Sequence, residues 1–337
     1  SYINSNDNAG NGIDDFNAYA FTWDGSHLYA GGNFTKVGGN VVNYIARWDG
    51  NNWSTMGGGV NEFVIFDPVV YALAWDGSNL YAGGFFSTAG GISAPNIAKW
   101  DGNSWSNIGG GIGGEVHALT WDGSNLYAGG YGNKVAKWDG NVWSDIGSGL
   151  DGAVYALVWD GIHLYAGGDF TLAGDTSSNN IARWDGSVWS GLGSGLDGPV
   201  YALVWDGIHL YAGGDFTLAG GTRSNNIARW DGNDWTALGS GTDDIVRTLA
   251  RYGSHIYVGG DFTFAGGISS NYIARWDGNN WTALGNGTDD SVRTLVWDGS
   301  GLYVGGDFKV AGFRPSHKIG RWGQPAACNY LPMIPIP

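Results

Sequence analysis

The stretch VYALVWDGIHLYAGGDFTLAG occupies residues 154–174 and recurs letter for letter at 200–220. VYALVW and LYAGG are short and aromatic-rich with no helical period, and they flank Asp-Gly, the pair that a tight hairpin turn favours. Weaker copies lie on both sides. LYAGG or a close variant ends at Gly32, Gly84, Gly130, Gly168, Gly214, Gly260 and Gly306, and ARWDG or a close variant follows each time. The chain is therefore seven copies of one unit, spaced 38 to 52 residues apart.

In the fourth unit the strands read AVYALVW, LYAGG, IARW and a last one around WSGL, joined by the turn DGIH, the polar loop DFTLAGDTSSNN and the turn DGSV. Four antiparallel strands repeated seven times predict an all-β fold, a seven-bladed β-propeller of four-stranded antiparallel blades. The expected blades are 17–68, 69–114, 115–152, 153–198, 199–244, 245–290 and 291–322. With a strand from 1–16 they make 1–322 a single domain, followed by a Pro-rich tail at 323–337. The last unit lacks a fourth-strand Trp, and GNGID at 10–14 matches GSGLD at 147–151. Residues near Tyr2 to Ser5 are accordingly expected to supply the missing strand and close the ring. Period-two alternation assigns Tyr155, Leu157 and Trp159 to one face of their strand and Val154, Ala156 and Val158 to the other. Paired glycines such as Gly167 and Gly168 leave room for a neighbouring ring or backbone.

Composition narrows the function. A net charge of −15 and a pI near 4.5 argue against nucleic acid or an anionic membrane as partner, since both need a basic face. No apolar run of 18 residues predicts a membrane span. Cys328 is single, so no internal disulfide is expected, and no Cys/His cluster has metal-ligand spacing. Neither metal nor cofactor is expected. Only 14% of residues are charged, and the sequence opens on SYINSNDNAG without Met. This reads as an exported chain, extracellular or at the cell surface.

All 19 Trp fall on repeat positions of the first, third and fourth strands, which reads as rings buried between blades. Arg47, Lys99, Lys137, Arg183, Arg229, Arg275 and Arg321 share one third-strand position, where pairing with the Asp of a Trp-Asp-Gly turn is expected. His27, His163, His209 and His255 share a turn position and offer no catalytic partner. Asp169, Asp215, Asp261 and Asp307 follow the Gly-Gly pair; the D-x-D-x-D-G spacing of a calcium loop is missing, so they are expected to cap loop backbone.

With strands and glycines placed, the unit resembles the kelch type of propeller blade, in which a strand ending in Gly-Gly is followed by two aromatic residues, here Trp184 and Trp189 in the fourth unit. Its turn is shorter than the kelch turn. The WDGxxWxxLG pattern is closer to extracellular propellers of bacteria and to the propeller of fungal cell-pole marker proteins. The resemblance covers residues 17 to 322 and implies the fold; it carries no active-site motif.

Two candidate sites depart from the repeat. Near the start of the innermost strand the units carry Tyr19, Tyr71, His117, Tyr155, Tyr201, Arg247 and Arg293, a ring of mixed side chains suited to a sugar or a carboxylate. The other is an interface. The first unit is lengthened by NEFVIFDP, which puts Phe63, Val64, Ile65 and Phe66 in a connecting loop, while the third unit has lost most of its polar loop. The tail adds Tyr330, Leu331, Met333 and Ile334. The expectation is a non-enzymatic interaction or structural module that docks to an extracellular partner or to copies of itself. A carbohydrate-binding lectin is the alternative, and a polysaccharide hydrolase or lyase stands third.

Overall fold

The computed structural model describes residues 12, 13, 15, 17–62, 66–132 and 134–323. Every element among them is a strand. Six units form four-stranded antiparallel sheets whose strand order follows the sequence; the seventh contributes three described strands, Val292–Trp297, Gly301–Gly306 and Ile319–Gly323. The innermost strands pack in a closed circle, with Ala18–Trp23 of blade 1 lying between those of blades 2 and 7. The chain is a β-propeller of seven blades, as the repeat predicts.

Ring closure is visible at the seam. The ring of Trp23 stacks on Tyr303 of blade 7 with centroids 6.2 Å apart, and the backbone N–H of Phe21 donates to Thr294 Oγ1 at 3.0 Å. Ile13, 1% exposed, donates its N–H to the carbonyl of His317 at 3.0 Å and bridges Val37 of blade 1. Leu196 makes the same two links between blades 4 and 5, through Asn179 and Ala219. Gly12 and Ile13 thus fill the inter-blade position that the GNGID match predicts. The strand expected near Tyr2 to Ser5 lies outside the described residues, as does the tail from 324 to 337.

Two further contacts recur between successive blades. A first-strand Trp stacks on the second-strand Tyr of the preceding blade, as in Tyr127–Trp159 and Tyr165–Trp205, both at 6.2 Å. A fourth-strand Trp donates its indole N–H to a carbonyl of that blade: Trp105 to Met56 at 2.7 Å, Trp189 to Ile146 at 3.2 Å, Trp235 to Leu192 at 2.9 Å. The Gly-Gly pair is fixed by two different neighbours. A Cβ on Gly167 would lie 2.5 Å from Cγ1 of Val200 in the next blade, and one on Gly168 would lie 1.9 Å from the carbonyl oxygen of Ala153 in its own sheet.

Three expectations are corrected. The polar loop between second and third strands is itself a short hairpin in six blades, such as Leu172–Ala173 with Thr176–Ser177; among the described residues blade 3 has none. The third-strand basic residues do not pair generally with turn aspartates: among the described residues only Arg321 does so, with Asp298. Elsewhere the turn Asp takes two backbone N–H groups and, in several blades, the second-strand Tyr hydroxyl, as Asp76 does with Ser78, Asn79 and Tyr81. The third correction concerns alternation. Val154 and Leu157 both face Gly129 of blade 3, an odd spacing that uniform pleating forbids. A β-bulge lies between them.

Candidate functional site at the channel mouth

Every innermost strand carries this bulge at the same place. Register shifts fall between Ala18 and Ala20, Val70 and Ala72, Val116 and Ala118, Val154 and Ala156, Val200 and Ala202, Val246 and Thr248, and Val292 and Thr294. The residue inside each shift is Tyr19, Tyr71, His117, Tyr155, Tyr201, Arg247 or Arg293, the seven ring residues. A bulge leaves one residue unpaired and turns its side chain out of the pleat. The structure brings all seven together around one end of the central channel, lining a cavity of about 210 Å³.

The ring is not uniform. Blades 1 to 5 form an aromatic arc: Tyr19 and Tyr71 lie 5.9 Å apart, Tyr71 stacks on His117 at 4.2 Å, and Tyr155 and Tyr201 lie 5.4 Å apart. Tyr131 joins it edge-on, 4.8 Å from His117 and 6.2 Å from Tyr155. Sequence reading missed Tyr131, although it stands immediately after Gly130, where blade 4 has Asp169. Burial lowers the His117 pKa, against the opposing pull of Glu115, whose Oε2 lies 3.0 Å from Nε2. Burial, with the charge of Glu115, pushes the Tyr71 phenol up to about 12.

Blades 6 and 7 supply a different arc. Arg247 Nε donates to Asp261 Oδ1 at 2.7 Å, with Nη2 on Oδ2, and Arg293 grips Asp307 in the same way, Nη2 to Oδ2 at 2.6 Å. Burial alone would raise the Asp261 carboxyl, but hydrogen bonds from Arg247 and Ser291 hold it below the ordinary range. Arg293 also lies over the Tyr19 ring, 5.5 Å from its centroid. These pairs correct one expectation: Asp261 and Asp307 hold guanidinium groups rather than loop backbone. The loop backbone is capped by another set, as Asp151 accepts from the N–H of Thr171 and Leu172 at 2.7 and 2.8 Å.

Of the expected interface, Phe66 is 67% exposed and meets Phe85 edge-on at 6.4 Å. Phe85 follows Gly84 and so stands at the mouth end of blade 2. Phe63, Val64 and Ile65, and Tyr330, Leu331, Met333 and Ile334 of the tail, lie outside the described residues. Among the described residues no three His, Cys, Asp or Glu side chains gather as metal ligands.

Comparisons with known proteins agree with this architecture. Residues 255–279 match the family described as a domain of unknown function (DUF5122) beta-propeller. No curated protein sequence matches. Among solved structures, a chain of the mitotic checkpoint complex is similar with a TM-score of 0.60 at 16% identity, covering 96% of this chain and 94% of that one. The computationally designed Ika8 protein is similar with a TM-score of 0.56 at 15% identity, covering 94% and 98%. At such identities the likeness is one of fold alone: the chain is a β-propeller, similar over nearly its whole length to others of that fold.

Proposed function

We propose that the protein is a non-enzymatic binding module, exported, whose ligand face is the channel mouth. One observation carries this reading. The repeat holds its structural positions nearly constant, yet the seven bulged positions, which share one geometry, carry Tyr, His and Arg in an uneven order around a single opening. A purely structural plug has no need of varied side chains at seven equivalent bulges, whereas a site fitting one asymmetric ligand needs them on rigid strands. The kelch-like character of the blades rests on the Gly-Gly pair and the two Trp that follow it. The test is a saturation-transfer NMR screen of small organic cations, carboxylates and methyl glycosides against the full chain and its Tyr155→Ala variant. Binding of any class that the variant loses, with unchanged melting, supports the mouth; binding that survives in the variant places the site elsewhere.

A second reading is docking to another copy or an extracellular protein beside the mouth. Phe66 favours it, since it leaves two thirds of a large apolar side chain in water next to Phe85. Light scattering of the full chain and of a chain ending at Trp322 tests it: a full-length monomer at high concentration removes self-assembly.

A further inference from the structure

The blades provide their own comparison. In blades 6 and 7 the residue after Gly-Gly is an Asp whose carboxylate holds the guanidinium of the bulged Arg, Arg247 on Asp261 and Arg293 on Asp307. Blades 4 and 5 keep the carboxylates, Asp169 and Asp215, at the same position but replace the bulged Arg by Tyr155 and Tyr201. Among the described residues neither carboxylate has a hydrogen-bond or ion-pair partner, and both are exposed. Backbone register sets each beside the start of its innermost strand: Asp169 pairs with Ala153, two residues before Tyr155, and the Asp215 N–H donates to the Pro199 carbonyl at 2.9 Å, two residues before Tyr201. Burial raises the Tyr201 phenol, and the charges of Asp215 and Asp169 add to it against Arg247.

We propose that this corner takes a protonated amine or a guanidinium group from the ligand, seated against the Tyr155 and Tyr201 rings and paired with Asp169 and Asp215. The inference rests on the mouth being the binding site. Three lines of chemistry converge on a cation. The sibling blades show that this carboxylate position grips a guanidinium. Arg293 over Tyr19 shows that a mouth tyrosine accepts a cation on its face. The overall balance is also acidic: Glu115, Asp169, Asp215, Asp261 and Asp307 outnumber Arg247 and Arg293, and His117 is held towards neutrality. An anionic ligand would meet that field unfavourably.

Calorimetric titration of the full chain with butylammonium, N-acetyl-arginine methylamide, butyrate and methyl glucoside tests the proposal, with the Asp169→Asn/Asp215→Asn double variant and Tyr155→Ala alongside. Both aspartates are exposed, so the double variant should melt as the parent does. The expected result is that one or both cations bind, that the double variant weakens them at least about tenfold, and that added salt weakens them in the parent. A preference for the alkylammonium probe over the arginine analogue identifies an amine as the ligand group, and the reverse a guanidinium. Butyrate or glucoside binding that Tyr155→Ala removes, with the cations inert, overturns the cation and leaves the mouth standing. If no probe binds, or all binding survives in Tyr155→Ala, the mouth reading fails and the cation proposal falls with it.

Discussion

Replacing Trp235 and Trp100 separately by Phe separates what an indole ring contributes by packing from what it contributes by its N–H. The two are matched in burial, each 6% exposed, and each ring lies 5.3 Å from its paired Trp. One is a third-strand and the other a fourth-strand Trp, and they differ at the indole nitrogen. Trp235 Nε1 donates to the Leu192 carbonyl at 2.9 Å, whereas Trp100 Nε1 is buried with no partner among the described residues. The loss of ring area on going to Phe is similar for two rings of equal burial. The Leu192 oxygen also accepts from the Gly195 N–H at 3.1 Å, so Trp235→Phe forfeits a bond worth about 0.5–1.5 kcal/mol without leaving that oxygen orphaned. Trp100→Phe instead removes an unpaired buried donor and recovers about 1–3 kcal/mol of desolvation cost. The Trp235 variant should therefore be the less stable of the two by at least about 1.5 kcal/mol. Equilibrium urea unfolding, read from midpoint shifts at constant slope, measures the difference. Equal midpoints, or a less stable Trp100 variant, would refute the inter-blade hydrogen bond as a stabilising element.

Gly167→Ala should cost about 1–3 kcal/mol because Val200 can move aside, while Gly168→Ala should cost more than about 3 kcal/mol because the obstacle is the Ala153 carbonyl; thermal melting that ranks them the other way would contradict the packing. Asp151→Ala should lower stability by about 1–2 kcal/mol through the lost caps on Thr171 and Leu172, and leave binding at the mouth unchanged. Stability should also fall at both ends of the pH scale. Burial alone would raise Asp76 and Asp122, but turn amides, Asn side chains and tyrosine hydroxyls bring them below 3.8, so their contribution is present above that value and is lost as pH drops through the folded pKa. Tyr29 and Tyr165 are pushed up from 10.0 to about 12, first by burial and then by Asp24 and Asp160, so their contribution is present below pH 10.0 and is lost as pH rises through about 12. A urea midpoint that holds steady below pH 3.8 or rises above pH 10.0 would contradict these assignments.

The repeat made the fold readable because each blade announces the same strands, turns and glycines at nearly fixed spacing. The ring of seven was readable too, as a repeat position whose chemistry varies at the entry of every innermost strand. The bulge was not, because alternation arithmetic assumes an unbroken pleat and a single extra residue reverses every face beyond it. Its trace is the spacing of Val154 to Leu157, repeated as Val70 to Leu73 and Val116 to Leu119, which puts two apolar residues on one face at an odd interval. The roles of the aspartates were also hidden, for a physical reason. Asp151 caps a loop twenty residues onward, and Asp261 meets an Arg that only the bulge turns towards it. Neither contact belongs to a local turn, so the residue types were visible and their partners were not.

The most direct test of the central claim is a crystal structure of the full chain grown with N-acetyl-arginine methylamide. The account predicts its guanidinium at the channel mouth, against Tyr155 and Tyr201 and within hydrogen-bond distance of Asp169 or Asp215. An empty mouth with the probe bound elsewhere on the molecule, or a guanidinium placed away from both carboxylates, would contradict it.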